Sequence, residues 1–153
     1  MDERLLSAFR SSAEGTFRDM FGIEAKAGKP VEISSNGEHG WDITGLLGMA
    51  GQVQGVFAFR LPGSLAEALL AKSGVEAGAD DKTSLASGLV GEITNIIAGT
   101  ASSVEGGHEF DIAPPVVVRG PNHCIDWPNI GPVVAITFST PDGFFEIDIC
   151  AKI

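Results

Sequence analysis

The chain has 153 residues and a formal net charge of −10 at pH 7, with 44% hydrophobic and 20% charged residues. This length and hydrophobic content allow a buried core and are not those of a disordered chain. The negative charge argues against nucleic acid and anionic membranes as partners, because both attract basic patches. We therefore expect one folded domain over residues 1–153.

The N-terminus has no apolar stretch typical of a secretory signal, and no run approaches the ~18 apolar residues of a membrane span. The sequence contains two cysteines, Cys124 and Cys150. Two cysteines in a chain of this size are not a secreted disulfide framework, so we expect reduced thiols and a cytoplasmic protein.

The first half of the chain alternates between helix and strand patterns. A helix is predicted over residues 2–21 and capped by Gly22, because apolar residues recur at steps of four: Leu5, Phe9, Ala13, Phe17 and Phe21. Strands are predicted at residues 31–34, 41–47 and 52–61, with a turn at Ser35-Asn36-Gly37 and a hairpin connection at residues 48–51. In the third strand, Val53, Phe57 and Phe59 share one face, and Gln54 and Arg60 share the other.

In the second half, a helix is predicted over residues 64–72, followed by a loop over 74–81 that ends in Asp80 and Asp81. A longer helix over residues 84–103 comes next and is described below. Two strands are predicted after it, at residues 109–112 and 116–119, and Pro114-Pro115 between them predicts a sheet edge or bulge. A final hairpin is predicted from residues 133–139 and 144–151, and four of its apolar residues are expected to pack: Phe138, Phe144, Ile147 and Ile149. This element order predicts an α+β fold with helices on one face of a mainly antiparallel sheet.

Residues 84–103, SLASGLVGEITNIIAGTASS, are predicted to form one long helix with two different faces. At about 100° per residue, one arc is apolar and expected to face the core: Leu85, Leu89, Val90, Ile93, Ile96, Ile97 and Val104. The other arc contains Gly88, Glu92, Asn95, Gly99 and Ser102.

Glu92 and Asn95 lie three residues apart on this helix, so both can contact the same object. Gly88 and Gly99 flank them, and each glycine in a helix interior costs about 1 kcal/mol relative to alanine. This pattern indicates clearance for a partner that approaches closely. A solvated polar face, or tight packing of small residues on a sheet, would give the same pattern.

Other catalytic sites have weaker support in the sequence. No G-x-S-x-G motif is present, and Cys124 follows His123 in a loop, where sequence neighbours rarely form a catalytic pair. His39, His108 and His123 do not show zinc-ligand spacing with the cysteines, and we predict no metal site.

Glu92-Ile93-Thr94-Asn95 and the following Ile96-Ile97-Ala98-Gly99 resemble the E-x-x-N-x-[IL]-A-G signature of the CheC/CheX/FliY phosphatases, which act on the phosphorylated chemotaxis regulator CheY. Residues 114–120 resemble the P-x-[VI]-x-x-G segment of CheX-like domains, and residues 45–59 resemble their glycine-punctuated hairpin. The chain has one motif, as in the CheX branch, whereas the CheC branch has one in each half.

The resemblance implies a CheC/CheX-like fold, a homodimer joined through a sheet, and a phosphorylated CheY-like response regulator as partner. It implies that Asn95 orients the attacking water, that Glu92 pairs with the regulator's lysine, and that Gly88, Gly99 and Ser102 face the partner. The regulator would supply Mg²⁺, and the chain would have no cofactor of its own. Two alternatives stay open: a non-catalytic adaptor for receiver domains, and an assembly domain of the flagellar-switch type.

Overall fold

The computed structural model describes residues 1–34, 40–74, 78, 81–104 and 106–153. Within these ranges it has three helices, α1 (Glu3–Phe21), α2 (Gly63–Lys72) and α3 (Lys82–Ser102). The strands are β1 (Lys26–Ala27), β2 (Val31–Ile33), β3 (Ile43–Gly51), β4 (Gln54–Leu61), β5 (Phe110–Ile112), β6 (Val116–Arg119), β7 (Val133–Thr140) and β8 (Gly143–Lys152). The predicted α+β class is confirmed.

The described strands form one eight-stranded sheet in the order β1-β7-β8-β4-β3-β5, in which β2 also pairs with β7 and β6 also pairs with β3. All these pairings are antiparallel. The Pro114-Pro115 break separates β5 from β6 at one edge of the sheet, as the missing proline N–H predicts. This edge lies beside α3 and forms one wall of the candidate site.

Helices pack on one face of the sheet through an aromatic core. Phe9 of α1 stacks on Phe57 of β4 with ring centroids 4.7 Å apart, and Phe17 stacks on Phe145 of β8 at 4.2 Å. The helix at the N-terminus begins at Glu3, one residue later than predicted, because the Asp2 side chain caps it by accepting from the Leu5 N–H. The apolar residues of α1 at steps of four are buried from Leu5 to Phe17, which confirms the predicted inward face of this helix.

The other face of the sheet holds a buried polar chain. Arg60 is only 2% exposed, and its Nη1 lies 3.5 Å from Asp148 Oδ2. Its Nε donates to Thr44 Oγ1 at 3.2 Å, and Thr44 Oγ1 lies 2.6 Å from Nε2 of His123. Because the Gly120 carbonyl can only accept, His123 Nδ1 donates to it at 2.8 Å. This chain ties β3, β4 and β8 to the loop that follows β6.

Two strand predictions need correction. Residues 48–51 are not the hairpin connection, because they belong to β3, where Gly48 pairs with Val56 and Met49 with Ile112. Phe144 is 59% exposed, and Phe145 occupies the core instead, since successive strand side chains point to opposite faces. The predicted turn at Ser35-Asn36-Gly37, His39 and Asp80 lie outside the described residues.

Candidate functional site

The motif helix α3 is fixed between α1 and the sheet by two buried contacts. Ser12 Oγ of α1 donates to the Ile97 carbonyl at 2.6 Å. On the sheet side, Thr94 packs directly over Gly45 of β3, where a Cβ atom would overlap Thr94 Oγ1. That hydroxyl donates to the Val90 carbonyl at 2.7 Å. Thr94 directly precedes Asn95, so this close approach sets the height of Asn95 above the sheet.

The buried face of α3 differs in part from the predicted apolar arc. Leu85 and Val104 are 38% and 41% exposed, and Ile96 is only partly buried. Small residues form much of the buried face, which comprises Ala86, Leu89, Val90, Gly91, Ile93, Thr94, Ile97, Ala98 and Ala101. The helix lies close to its neighbours, and at close approach small residues pack better than long ones.

One row of α3 residues at steps of four faces the β5–β6 edge: Ser87, Gly91, Asn95 and Gly99. Arg119 donates to Ser87 Oγ at 2.8 Å. A Cβ at Gly91 would lie 3.4 Å from Val117 Cγ2, and one at Gly99 would lie 3.9 Å from Ile112 Cδ1. Asn95 therefore sits between two glycines, at the level where the proline break interrupts the edge strand.

A groove of about 490 Å³ separates α3 from residues 112–115. Its α3 side is formed by Gly88, Gly91, Glu92 and Asn95. Glu92 and Asn95 are both exposed. Neither side chain has a hydrogen bond or ion pair within the described part of the chain. A carboxylate and a carboxamide are thus presented together, with their hydrogen-bonding capacity available to a partner.

The three residues predicted to face the partner, Gly88, Gly99 and Ser102, differ in their position relative to the groove. Gly88 lies in the groove, and a Cβ atom added there would have no described residue within 4 Å outside its own stretch of helix, while the predicted clearance for a partner stays a prediction. Gly99 borders the groove at Ile112. Ser102 lies outside it, donates its hydroxyl to the Gly99 carbonyl at 2.7 Å, and lines a separate depression with Gln52 and Asp111. A partner contact at Ser102 stays a prediction.

Sequence reasoning did not single out Gly91, Arg119 or the wall residues Ile112 and Ala113. The proline-containing segment was the available signal, because a strand broken beside a long helix leaves an open edge. Arg119 Nη1 donates to the Thr83 carbonyl at 3.0 Å as well as to Ser87, which ties β6 to the beginning of α3.

The residues of the alternative catalytic and metal sites considered in the sequence have other positions or partners in the structure. His123 is held by Thr44 and Gly120, and exposed Cys124 lies 3.9 Å from the Asn122 carbonyl. Across the described ranges, no group of three or more His, Cys, Asp or Glu residues is placed to hold a metal ion. Both cysteines are free thiols, as predicted. No described helix is long and apolar enough to cross a membrane.

Residues 43–139, which include the whole groove, match the family model described as chemotaxis phosphatase CheX. The chain belongs to the CheX family. It is 33% identical over 124 residues to the CheY-P phosphatase CheX of Thermotoga maritima, and the match covers 78% of each chain. The predicted family is therefore confirmed.

Solved structures agree with this CheX-family assignment. A CheC-like superfamily protein from Shewanella sp. PV-4 matches with a TM-score of 0.87 and 32% identity over 100% of both chains. A chain of the CheX-CheY-BeF3-Mg²⁺ complex from Borrelia burgdorferi matches with a TM-score of 0.80 and 26% identity, covering 97% of this chain and 98% of that one. The predicted CheC/CheX-like fold is thus also confirmed.

Proposed function

We propose that this CheX-family chain dephosphorylates the aspartyl phosphate of a CheY-type response regulator. The observation that carries the proposal is the pair of exposed side chains, Glu92 and Asn95, in the groove beside glycine, neither of which has a hydrogen bond or ion pair to another described residue. Two comparisons support it: the Thermotoga relative is named a CheY-P phosphatase, and the Borrelia structure contains CheX with CheY.

Hydrolysis of an aspartyl phosphate is a phosphoryl transfer, in which catalysis consists mainly of positioning and charge stabilisation. The regulator would contribute its phosphoaspartate, its Mg²⁺ and its active-site lysine, and this chain would contribute an oriented water. Asn95 suits that role because a carboxamide both donates and accepts hydrogen bonds. The water oxygen attacks phosphorus in line with the aspartyl oxygen, the P–O bond to aspartate breaks, and inorganic phosphate leaves.

Glu92 is assigned to the regulator's lysine, not to the phosphate. A carboxylate near a phosphoryl group would be repelled, whereas one beside an ammonium gains about 1 kcal/mol at 4 Å in water and about 4 kcal/mol at a partly dehydrated surface. Glu92 therefore anchors the insertion of α3, and Asn95, one helical turn further on, reaches the reacting water. In this mechanism the chain needs no resident cofactor, because the only metal belongs to the regulator.

The decisive experiment measures phosphate release from a regulator phosphorylated with a small-molecule phosphodonor. Asn95→Ala should slow the accelerated decay about 10²-fold or more, since correct placement of a reactant contributes at least this much to rate. Asn129→Ala, at an exposed loop position that does not line the groove, is the matched control. Equal rates for Asn95→Ala and Asn129→Ala would contradict the assignment.

The same experiment separates the two alternatives. A non-catalytic adaptor would bind the phosphorylated regulator and leave its decay rate unchanged. An assembly domain would associate with a large complex, and Asn95→Ala would not alter that association. The exposed motif pair favours the phosphatase, because neither alternative requires a carboxamide in the groove.

The homodimer, the single domain over residues 1–153 and the cytoplasmic location also stay proposals. The two sheet edges each carry an exposed valine, Val31 on β2 and Val116 on β6, and exposed edges can pair with a second chain. Sedimentation of Val31→Lys and Val116→Lys tests the dimer and identifies its edge. A parent chain that sediments as a monomer would contradict the proposed dimer.

A further inference from the structure

Arg119, the last residue of β6, reaches across the end of the groove to α3. Its Nη1 donates to the Thr83 carbonyl at 3.0 Å and to Ser87 Oγ at 2.8 Å. These acceptors lie in the first two turns of α3, and Ser87 directly precedes Gly88. One guanidinium group thus joins the edge strand to the part of the helix that leads into the motif.

The two glycines on the α3 side of the groove, Gly88 and Gly91, contribute no side chain to the packing that sets its width. Val117 of β6 packs on the backbone of Gly91, where a Cβ atom would lie 3.4 Å from Val117 Cγ2. At Gly88, no described residue of another element lies within 4 Å of a Cβ position. Where glycines remove the side chains that normally fix a helix against a strand, directional hydrogen bonds have a larger share in fixing it.

We propose that Arg119 is a positioning residue that clamps the N-terminal half of α3 to β6 and so holds the groove at the width that receives the regulator. This inference rests on the function proposed above. Arg119 does not line the groove with Glu92 and Asn95. Asn95 is fixed separately by the contact of Thr94 with Gly45. Loss of the clamp should therefore weaken docking of the regulator more than it slows hydrolysis in the complex.

The test compares Arg119→Gln with Arg18→Gln. Arg18 is an exposed residue of α1 paired with Asp19, so both variants remove one positive charge from the chain and change its net charge equally. We expect Arg119→Gln to raise the half-saturating concentration of phosphorylated regulator about five-fold, with a maximal rate within about two-fold of the parent. Arg18→Gln should match the parent, and Arg119→Lys, which keeps the charge and an N–H donor, should restore part of the affinity.

A second variant reports whether Arg119 acts through Ser87. Ser87→Ala removes one of the two acceptors, so it should weaken docking less than Arg119→Gln does. The double variant should be no worse than Arg119→Gln alone, because both changes remove the same interaction. Amide hydrogen exchange on the free chain should be faster over residues 82–91 in Arg119→Gln and unchanged in Arg18→Gln.

The proposal is overturned if Arg119→Gln matches Arg18→Gln in half-saturation and in amide exchange. Measuring the binding of beryllofluoride-treated regulator distinguishes failure of the Arg119 proposal from failure of the proposed phosphatase function. A parent that binds without accelerating phosphate release contradicts the phosphatase, while a five-fold weaker Arg119→Gln still supports the clamp. A parent that neither binds nor hydrolyses contradicts both.

Discussion

Thr94 of α3 lies so close to Gly45 of β3 that there is no space for a side chain at position 45. The hydroxyl of Thr94 is turned back to the Val90 carbonyl, which satisfies it in this buried position. The contact places the backbone of Asn95 at a defined height above the sheet. Positioning of the proposed water-orienting group therefore depends on a glycine in a strand that does not itself face the groove.

Gly45→Ala should destabilise the fold and reduce dephosphorylation. The added methyl group would overlap Thr94 Oγ1, and overpacking of this kind typically costs about 1–3 kcal/mol of unfolding free energy. Denaturant unfolding measures the loss, and Thr94→Ala in the same chain should recover part of it by removing the nearest atoms. If Gly45→Ala unfolds like the parent, the close contact does not exist in solution.

Substitutions at Gly88 should separate stability from partner binding. Gly88→Ala should raise the free energy of unfolding by about 0.5–1 kcal/mol, because alanine is the better helix former and no described residue of another element lies within 4 Å of its Cβ. Gly88→Leu should fold but bind the regulator at least about tenfold more weakly, since the leucine would occupy the groove. Gly15→Ala in α1 is the control for helix propensity, and normal binding by Gly88→Leu would refute the clearance.

Gly99→Leu tests the same idea at the other end of the motif. A side chain there would meet Ile112 and extend beside Asn95, so we expect weaker regulator binding in a folded chain. Isothermal calorimetry with beryllofluoride-treated regulator measures the affinity, and circular dichroism checks the fold. An unchanged affinity would restrict the contact surface to the N-terminal half of α3.

Glu92→Gln should weaken regulator binding by about five- to tenfold, since it removes the charge and keeps the shape. The difference from the parent should shrink as ionic strength rises, because salt screens an ion pair with the regulator's lysine. Glu24→Gln, also exposed but outside the groove, is the control. A Glu92→Gln variant with the parent's affinity at low salt would exclude the proposed ion pair.

Asp148 predicts a specific dependence of stability on pH. Burial raises the pKa of Asp148 to about 9, Glu146 acts in the same direction, and Arg60 opposes them. The folded chain therefore holds a proton that the unfolded chain releases above a pKa near 3.9. The contribution of this group to the free energy of unfolding is therefore full below that value and declines as the pH rises towards 9.

Asp148→Asn should remove this decline, because asparagine stays neutral across the range. Urea unfolding of both chains at pH 5, 7 and 9 measures the difference in slope, with Asp126→Asn in the exposed loop as control. Parallel pH profiles for the parent and Asp148→Asn would show that Asp148 is ionised in the folded chain.

Much of the fold could be predicted from local residue patterns. The inward face of α1 follows from apolar residues at helical spacing, and the edge position of Pro114-Pro115 follows from the missing N–H groups.

Burial was harder to predict where it depends on residues that are distant in the sequence. Leu85 and Val104 fall in the apolar arc predicted for the motif helix and are expected to face the core, but they are 38% and 41% exposed. Arg60 was correctly placed opposite Phe57, yet its burial beside Asp148 depends on a strand near the other end of the chain.

The sequence by itself determined the α+β class, the family and the helix that carries Glu92 and Asn95, because periodicity and a short motif are properties of neighbouring residues. Only the tertiary structure decided which residues lie across the groove from Glu92 and Asn95 and which contacts hold their helix in place. The groove wall at residues 112–115, the seat of Thr94 on Gly45 and the link from Arg119 to Ser87 each join distant segments. The physical reason is that close approach depends on how backbones are placed in space, and local residue patterns do not encode that placement directly.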